Sequence, residues 1–154
     1  MDNILSGLVL INSTDIWTTY GAFLVENKQG GMDNITSIMT PSETKEDTAV
    51  DIREENGEKY SSTLTPRNKA RDVELYFAIY AKTQADWMKN YFAFINFLKQ
   101  GANGWLDINF PQLSLTLHVK YSQCSKFTPL TYLWKEGVHA SKFKVKFREP
   151  VPVI

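Results

Sequence analysis

The sequence TQADWMKNYFAFINFLKQ, from Thr83 to Gln100, carries the clearest helix signal in the chain. Thr83 is suited to cap the first free backbone N–H groups, and Asp86 stands three residues later, where a capping box places an acid. Gly101 follows directly and supplies the left-handed residue at which helices commonly stop. These signals predict one helix with defined ends.

The apolar residues of this helix predict what lies beneath it. At about 100° per residue, they share an arc of roughly 160°, which is wide enough to require a sheet as its cover. The arc contains Met88, Tyr91, Phe92, Ile95 and Leu98, with Trp87 and Phe94 at its margin. Phe97 falls on the opposite side, so either a partner or a loop of the same chain is expected to cover it.

Strand patterns flank the helix on both sides. Residues 71–81 alternate apolar and polar side chains and predict a strand that delivers the chain into the helix. After the helix, residues 105–110 and 113–121 predict a hairpin that turns at Pro111-Gln112. The side chains expected to face inward are Val73, Leu75, Phe77, Ile79, Leu106, Ile108, Phe110, Leu113, Leu115, Leu117 and Val119.

The last strand has the most regular alternation. In residues 141–148, three apolar side chains face inward, while Lys142, Lys144, Lys146 and Arg148 face outward. Two interpretations are open for this basic stripe: protection of an exposed sheet edge, or contact with an acidic surface on a neighbour. A preceding extended segment is predicted from Leu130 to Trp134, with a turn near Glu136-Gly137.

The first 25 residues predict short strands. Leu8 to Ile11 is an apolar run that ends in the turn formers Asn12 to Asp15, after which Ile16 and Trp17 are expected to resume an extended path. Tyr20 to Val25 is a second β-like run, in which Gly21 indicates a bulge or a close backbone approach.

Residues 27–64 differ in character from the rest of the chain. The segment is polar and rich in turn formers, and it predicts a long, mobile loop and hairpin insertion that is either a contact arm or a plain surface loop. Asn56-Gly57 favours a tight hairpin turn. Glu54, Glu55 and Glu58 cluster near that turn, either as solvated charges or as a contact surface.

Composition limits the protein class. The 154 residues are 43% hydrophobic and 13% aromatic, which predicts one domain over residues 1–154 with a substantial core. The expected fold is mainly β, an antiparallel sandwich or barrel flanked by one helix. Seventeen basic and seventeen acidic residues argue against a general nucleic-acid or membrane-surface binder. No run approaches the ~18 apolar residues of a membrane span, nor is there a signal-peptide pattern, so the protein is expected to act where it is made.

The sequence offers little catalytic chemistry. His118 is expected on the outward side of its strand and His139 in a solvent-facing turn, and neither is tied by spacing to an acid or a nucleophile. The single cysteine, Cys124, excludes an intrachain disulfide and makes structural zinc improbable. Neither a phosphate-binding glycine loop nor a metal-ligand set is recognisable. We therefore expect no catalytic residues, no cofactor and no metal.

The order of these elements resembles the N-terminal domain of siphophage distal tail proteins and, more loosely, the related tail-tube proteins. The segments that carry the resemblance are residues 12–16, 20–22, 71–77, the helix 83–100 and the strand that ends at Tyr121-Ser122. In that family a β-sandwich or barrel with one helix assembles into a hexameric ring around a channel, and extended loops reach neighbouring subunits. Because this chain ends at Ile154, a C-terminal carbohydrate-binding domain is not expected.

This resemblance implies a structural, non-enzymatic tail component of a phage or prophage, located in the host cytoplasm during assembly and then in the virion tail. Its partners would be other copies of itself and other tail proteins, with no membrane and no specific nucleic acid, although DNA could pass through the ring. The candidate contact residues are Phe97, Glu54, Glu55, Glu58, Lys142, Lys144 and Lys146.

Two alternatives come from other functional classes. A small carbohydrate-binding β-sandwich would use exposed aromatic side chains as stacking platforms, with Trp17, Trp105, Trp134 and Tyr76 as candidates. A small-molecule enzyme would use His118 with Asp107.

Overall fold

The computed structural model describes residues 6–28, 30–131 and 139–154. In these residues, seven antiparallel strands form one curled sheet in the order β2-β1-β7-β8-β9-β6-β3, and β4 pairs with β5 in a separate hairpin. The strands are β1 (Leu10–Ile11), β2 (Thr14–Asp15), β3 (Ala22–Leu24), β4 (Ala49–Asp51), β5 (Glu58–Tyr60), β6 (Arg71–Ala81), β7 (Leu106–Phe110), β8 (Leu115–Pro129) and β9 (His139–Glu149). The helices are α1 (Ile16–Tyr20), α2 (Asp33–Met39) and α3 (Gln84–Gln100). The predicted mainly β class with one long helix is confirmed.

The long strand β8 joins two parts of the sheet. Its first residues, Leu115 to Val119, pair with β7, whereas Lys120 to Pro129 pair with β9. Its register against β9 shifts between Tyr121 and Gln123 and again between Ser125 and Thr128. Because bulges bend a strand and increase its twist, β8 lets the sheet curl around its core.

The inward faces of the central strands form that core, as their alternation predicts. Phe77, Phe143 and Phe147 are fully buried, and Phe77 packs against the rings of both other residues. The remaining fully buried side chains on these strands include Val73, Leu75, Ile79, Leu106, Ile108, Val119 and Val145. Leu113 is an exception to the prediction: it is exposed because a 3₁₀ turn at Pro111–Leu113 delays the start of β8 to Leu115.

Both predicted ends of α3 are present. The Thr83 hydroxyl accepts a hydrogen bond from the Asp86 N–H at 3.1 Å. Gly101 has a φ of 49° and its N–H donates to the Phe97 carbonyl, although its ψ of −148° lies outside the left-handed helical region. A Cβ at Gly101 would lie 2.3 Å from the Trp105 carbonyl oxygen, so glycine is also required for the close return of the chain.

The buried face of α3 differs from the predicted arc. Trp87, Phe94 and Leu98 are buried, whereas Met88 and Phe92 are 40% and 56% exposed. The centre of the buried face is therefore rotated by about 60° toward the side that carries Phe97. The cause is α1, which covers that side and which the sequence did not predict.

The prediction of an extended path at Ile16 and Trp17 is wrong. The Asp15 carboxylate accepts from the Trp17 N–H at 3.1 Å and caps α1, which ends at Gly21 with φ of 67°. The close backbone approach predicted at Gly21 is confirmed, since a Cβ there would lie 2.6 Å from the Tyr80 carbonyl oxygen.

Residues 27–48 are not simply the mobile loop that their composition indicates. Within them, α2 packs against β6 and buries Asn34 and Ile38. β3 stops opposite Phe77, and beyond it the Asn34 Oδ1 and Ser37 Oγ atoms accept from the Tyr76 and Glu74 N–H groups at 2.8 Å each. The side chains of α2 therefore cover the edge of β6 where its neighbouring strand ends.

We expect Asn34→Ala to lower the free energy of unfolding by about 2–3 kcal/mol, because each buried polar group left without a partner costs about 1–3 kcal/mol. The amide of Asn34 bridges two backbone groups: its Oδ1 accepts from Tyr76 N–H, and its Nδ2 donates to the Val25 carbonyl at 2.7 Å. Urea unfolding measures the change. Thr36→Ala, at an exposed position of the same helix, is the control and should be close to neutral; equal losses would contradict the role of Asn34.

The basic stripe does not lie on an edge strand. β9 pairs with β6 along its whole length and with β8 on its other side, so the edge-protection interpretation is wrong. Three of the four outward basic side chains instead lie opposite acidic or aromatic residues of β6, in the register Asp72↔Arg148, Glu74↔Lys146 and Tyr76↔Lys144, and Lys142 lies opposite Ala78.

The hairpin of β4 and β5 stands away from the sheet, and all six of its strand residues are exposed. Its connection is longer than a two-residue turn at Asn56-Gly57: the last paired residues are Asp51 and Glu58, and the Glu55 N–H donates to the Ile52 carbonyl. Its base is fixed, because Lys45 N–H donates to the Arg67 carbonyl and Lys69 N–H to the Glu43 carbonyl, both at 2.7 Å.

Candidate assembly surfaces

The outward lysines of β9 are already partnered within the chain. Lys142 Nζ donates to the Asn27 carbonyl at 2.8 Å, Lys144 Nζ lies 3.4 Å from Glu74, and Lys146 Nζ lies 3.4 Å from Asp72. Arg148 also pairs with Asp72 at 3.1 Å. The pairs with Asp72 are partly exposed and contribute about 0–1 kcal/mol each, whereas the Lys144 side chain is only 15% exposed.

The acidic cluster lies on the exposed hairpin, away from these lysines. Glu55 is 2.6 Å from Lys59, and Glu58 accepts from the Tyr60 hydroxyl at 2.7 Å. Glu54, Glu55 and Glu58 are all exposed. The two predicted charge surfaces are therefore separate on one chain, and a contact between them would need a second copy.

Phe97 is half-buried on the side of α3 that faces α1. Its ring lies 5.4 Å from the ring of Tyr20, which also contacts Phe94 at 5.6 Å. A segment of the same chain thus covers much of Phe97, which was one of the two outcomes expected from sequence.

A different aromatic group reaches the surface beside α3. Phe92 and Phe127 are 56% and 42% exposed, and Met88 and Leu130 are exposed nearby in sequence. The ring of Tyr91 lies between the two phenylalanines, 6.1 Å from Phe92 and 5.5 Å from Phe127. Met88 and Phe92 are part of this surface because the buried face of the helix is rotated, whereas the sequence pattern predicted both of them inside.

The pair His118 and Asp107 is brought together on the outer face of β7 and β8. The His118 Nδ1 atom lies 2.8 Å from Asp107 Oδ1, and the His118 ring stacks on Trp105 at 4.8 Å. Both polar side chains are about three-fifths exposed, at 59% and 60%. Water therefore surrounds the pair, whereas catalytic acid–base pairs usually lie in a cleft that excludes water.

His139 is buried, which corrects the prediction of a solvent-facing turn. It is the first residue of β9 and 1% exposed, and Ser141, two residues later on the same face, is 0% exposed. Among the described residues, His139 Nδ1, Ser141 Oγ and Trp87 Nε1 have no hydrogen-bond partner.

Burial also governs the ionisation of Cys124 and Tyr91. Desolvation raises the pKa of the Cys124 thiol, and it raises the pKa of Tyr91 to about 12, with Cys124 adding to the effect. A thiol with a raised pKa is protonated at neutral pH and is a weak nucleophile.

The four aromatic candidates for sugar stacking have different environments. Tyr76 is buried, and Trp17 packs against Phe23 and Tyr80. Trp105 is 37% exposed, with His118 on one face. Trp134 lies outside the described residues, as does the predicted turn at Glu136-Gly137.

The part of the chain that the structure describes contains neither a metal-ligand cluster nor a membrane-spanning helix. No group of three or more His, Cys, Asp and Glu side chains is arranged to hold a metal ion. Among the described helices, none has both the length and the hydropathy needed to cross a membrane.

An apolar groove lies where the curled sheet remains open. Its lining includes Val9 and Ile16, which flank the hairpin of β1 and β2, and Ala22 and Leu24 of β3, and its volume is about 270 Å³. Among the described strands, β2 and β3 are the two ends of the sheet and do not pair with each other.

Comparison with known proteins supports the fold resemblance. No family model matches this chain, and no curated protein matches its sequence. Its structure is similar to the crystal structure of the Dit protein of phage SPP1, described as a paradigm of the hub adsorption apparatus in phages that infect Gram-positive hosts. The TM-score is 0.55 at 16% sequence identity, over 93% of this chain and 50% of the Dit chain. The chain spans about half the length of that protein and shares its fold over that half.

Proposed function

We propose that this chain is a structural, non-enzymatic component of a phage or prophage tail that assembles with copies of itself into a ring. The similarity to the Dit hub protein over 93% of the chain is the observation that carries this proposal. The place of action would be the virion tail after assembly in the host cytoplasm, and the partners would be further copies and other tail proteins.

Three surface features support self-association. All six strand residues of the β4–β5 hairpin are exposed, and backbone hydrogen bonds fix its base. Phe92 and Phe127 present apolar surface beside α3. A formal net charge of zero leaves little overall repulsion between copies. A hexamer is the ring size that the distal tail family implies.

We expect light scattering at tens of micromolar to give a mass several times the 17.6 kDa of one chain, and negative-stain images to show rings. Dilution should reverse the association, which separates assembly from aggregation. A chain that stays monomeric without rings at these concentrations would contradict the proposal.

A carbohydrate-binding module is the second candidate, favoured by Trp105. Its ring is partly exposed next to the hydrogen-bonded His118 and Asp107, and sugar sites combine an aromatic face with polar groups in this way. Glycan-array binding that Trp105→Ala abolishes would support this function. Absence of binding across a broad array would remove it.

A further inference from the structure

Among the described strands, β6 and β8 each have a stretch of edge with no neighbouring strand, and these two stretches differ. On β6, the side chains of Asn34 and Ser37 occupy the edge beyond β3. On β8, pairing with β7 ends at Val119, and no described strand pairs with that side of β8 from Lys120 to Pro129. Since an unpaired strand edge is a template for another strand, this stretch of β8 is a site where a second chain can add.

The irregular pairing of β8 limits what can add there. The register shifts leave three residues, Gln123 to Ser125, in regular pairing with β9 between the two irregularities. A regular stretch of this length fits a strand of about three residues and disfavours a long one. β4 and β5 each contain three residues.

The hairpin also lacks a sheet of its own. Its strands pair only with each other among the described elements, and Val50 and Tyr60 are 53% and 52% exposed. An isolated two-stranded hairpin is marginally stable in water, and a third strand stabilises it. On the β8 side, Phe127 and Leu130 offer apolar surface next to the free edge, with 42% and 54% exposure.

Charge distinguishes the two surfaces. Residues 49–60 contain four acidic and two basic side chains, whereas residues 120–130 contain Lys120, Lys126 and no acidic side chain. Opposite charges favour docking of the hairpin on β8, while like charges disfavour hairpin against hairpin and β8 against β8.

We propose that the free edge of β8, centred on Gln123 to Ser125, binds the β4–β5 hairpin of a second copy of this chain. This inference rests on the proposed ring function and names the contact that would build the ring. Two different surfaces of one chain meet in this contact, and such heterologous interfaces close into rings when the rotation between neighbours allows it.

Charge reversal tests the contact. The edge variant is Lys120→Glu with Lys126→Glu, and the hairpin variant is Glu54→Lys with Glu58→Lys. Each alone should weaken self-association by about tenfold or more, because two attractive charges become repulsive. All four substitutions in one chain should restore association, since the acidic edge then meets a basic hairpin. Thermal unfolding of each variant verifies folding.

The matched control is Lys82→Glu with Lys89→Glu, which reverses two exposed lysines that belong to neither β8 nor the hairpin and should leave association unchanged. In a mixture of ¹⁴N- and ¹⁵N-labelled chains, carbodiimide should cross-link Glu54 of a chain with one label to Lys126 of a chain with the other label.

If rings formed equally well in every variant, the proposed contact would be wrong, while the proposed ring function would still hold. If the edge variant lost self-association and the fourfold variant did not restore it, the proposed contact would also be wrong, because something other than the hairpin would then bind the edge of β8. No association of the wild-type chain at all would overturn both.

Discussion

Phe94→Ala is expected to lower the free energy of unfolding by about 3–5 kcal/mol, the usual cost of truncating a fully buried phenylalanine. Phe94 is 0% exposed, and its ring contacts those of Phe77, Phe143 and Tyr20. It therefore joins α3 to the sheet and to α1 at once, and the cavity left by alanine cannot be filled by moving one neighbour. Urea unfolding followed by circular dichroism measures the loss.

Phe92→Ala is the matched control for this prediction. Phe92 lies two residues away on the same helix and is 56% exposed, so its truncation should change stability by less than about 1 kcal/mol. A large loss for Phe92 and a small one for Phe94 would show that Phe92 belongs to the buried face, as the sequence pattern predicted.

Glu149→Ala is expected to be comparably destabilising, by about 3–5 kcal/mol, because it leaves a buried cation without its partner. Arg71 Nε lies 2.6 Å from Glu149 Oε1, and the side chains are 9% and 5% exposed. The two residues pair directly at the ends of β6 and β9, and Arg71 also donates to the Thr40 carbonyl. Differential scanning calorimetry should show a fall in melting temperature of about 6–20 °C for a chain of this size.

Two further variants separate the cost of an unpaired charge from the value of the pair. Arg71→Met with Glu149→Leu removes both charges and should be much less destabilising than Glu149→Ala alone. Arg148→Ala breaks the neighbouring pair with Asp72, in which the side chains are 43% and 36% exposed, and should cost no more than about 1 kcal/mol. If Arg148→Ala and Glu149→Ala were equally harmful, burial would not be the cause.

The elements with strong local signals could be predicted from sequence. The Thr83 cap and the Gly101 stop bound α3 correctly, and period-two alternation placed the inward faces of β6, β7 and β9. These signals succeed because they depend on residues only a few positions apart.

The errors come from contacts between distant parts of the chain. The face of α3 is rotated because Tyr20, on a helix formed near the start of the chain, packs on Phe94 and Phe97. The centre of a wide apolar arc cannot be located without knowing what covers each side. α2 was missed because its segment is polar, although Ile35 and Ile38 have helical spacing after Asp33.

The sequence contained one unused signal for strand order. The outward acids of residues 71–81 and the outward lysines of residues 141–148 are complementary, and opposite charges are favourable directly across a strand pair. This complementarity indicates that β6 and β9 are neighbours, as observed. It would also have argued against placing the basic strand at an edge of the sheet.

His118 contacts Asp107 because of the register in which β7 pairs with β8. A turn centred on Pro111-Gln112 would pair Phe110 with Leu113, but the longer 3₁₀ turn pairs Phe110 with Leu115. A shift of two residues preserves which face each side chain occupies, so the outward position of His118 was predicted correctly, and the observed register places Asp107 directly opposite it.

Because the base of the β4–β5 hairpin is fixed, we expect this segment to tolerate the insertion of a foreign peptide. Its ends are already held together by the bonds of Lys45 with Arg67 and of Lys69 with Glu43. Doubling the length of a loop whose ends are tied costs only about 0.6 kcal/mol of closure entropy. An epitope tag grafted near Asn56 should therefore leave the body of the protein intact, and antibody binding to that tag would report whether the hairpin tip is accessible.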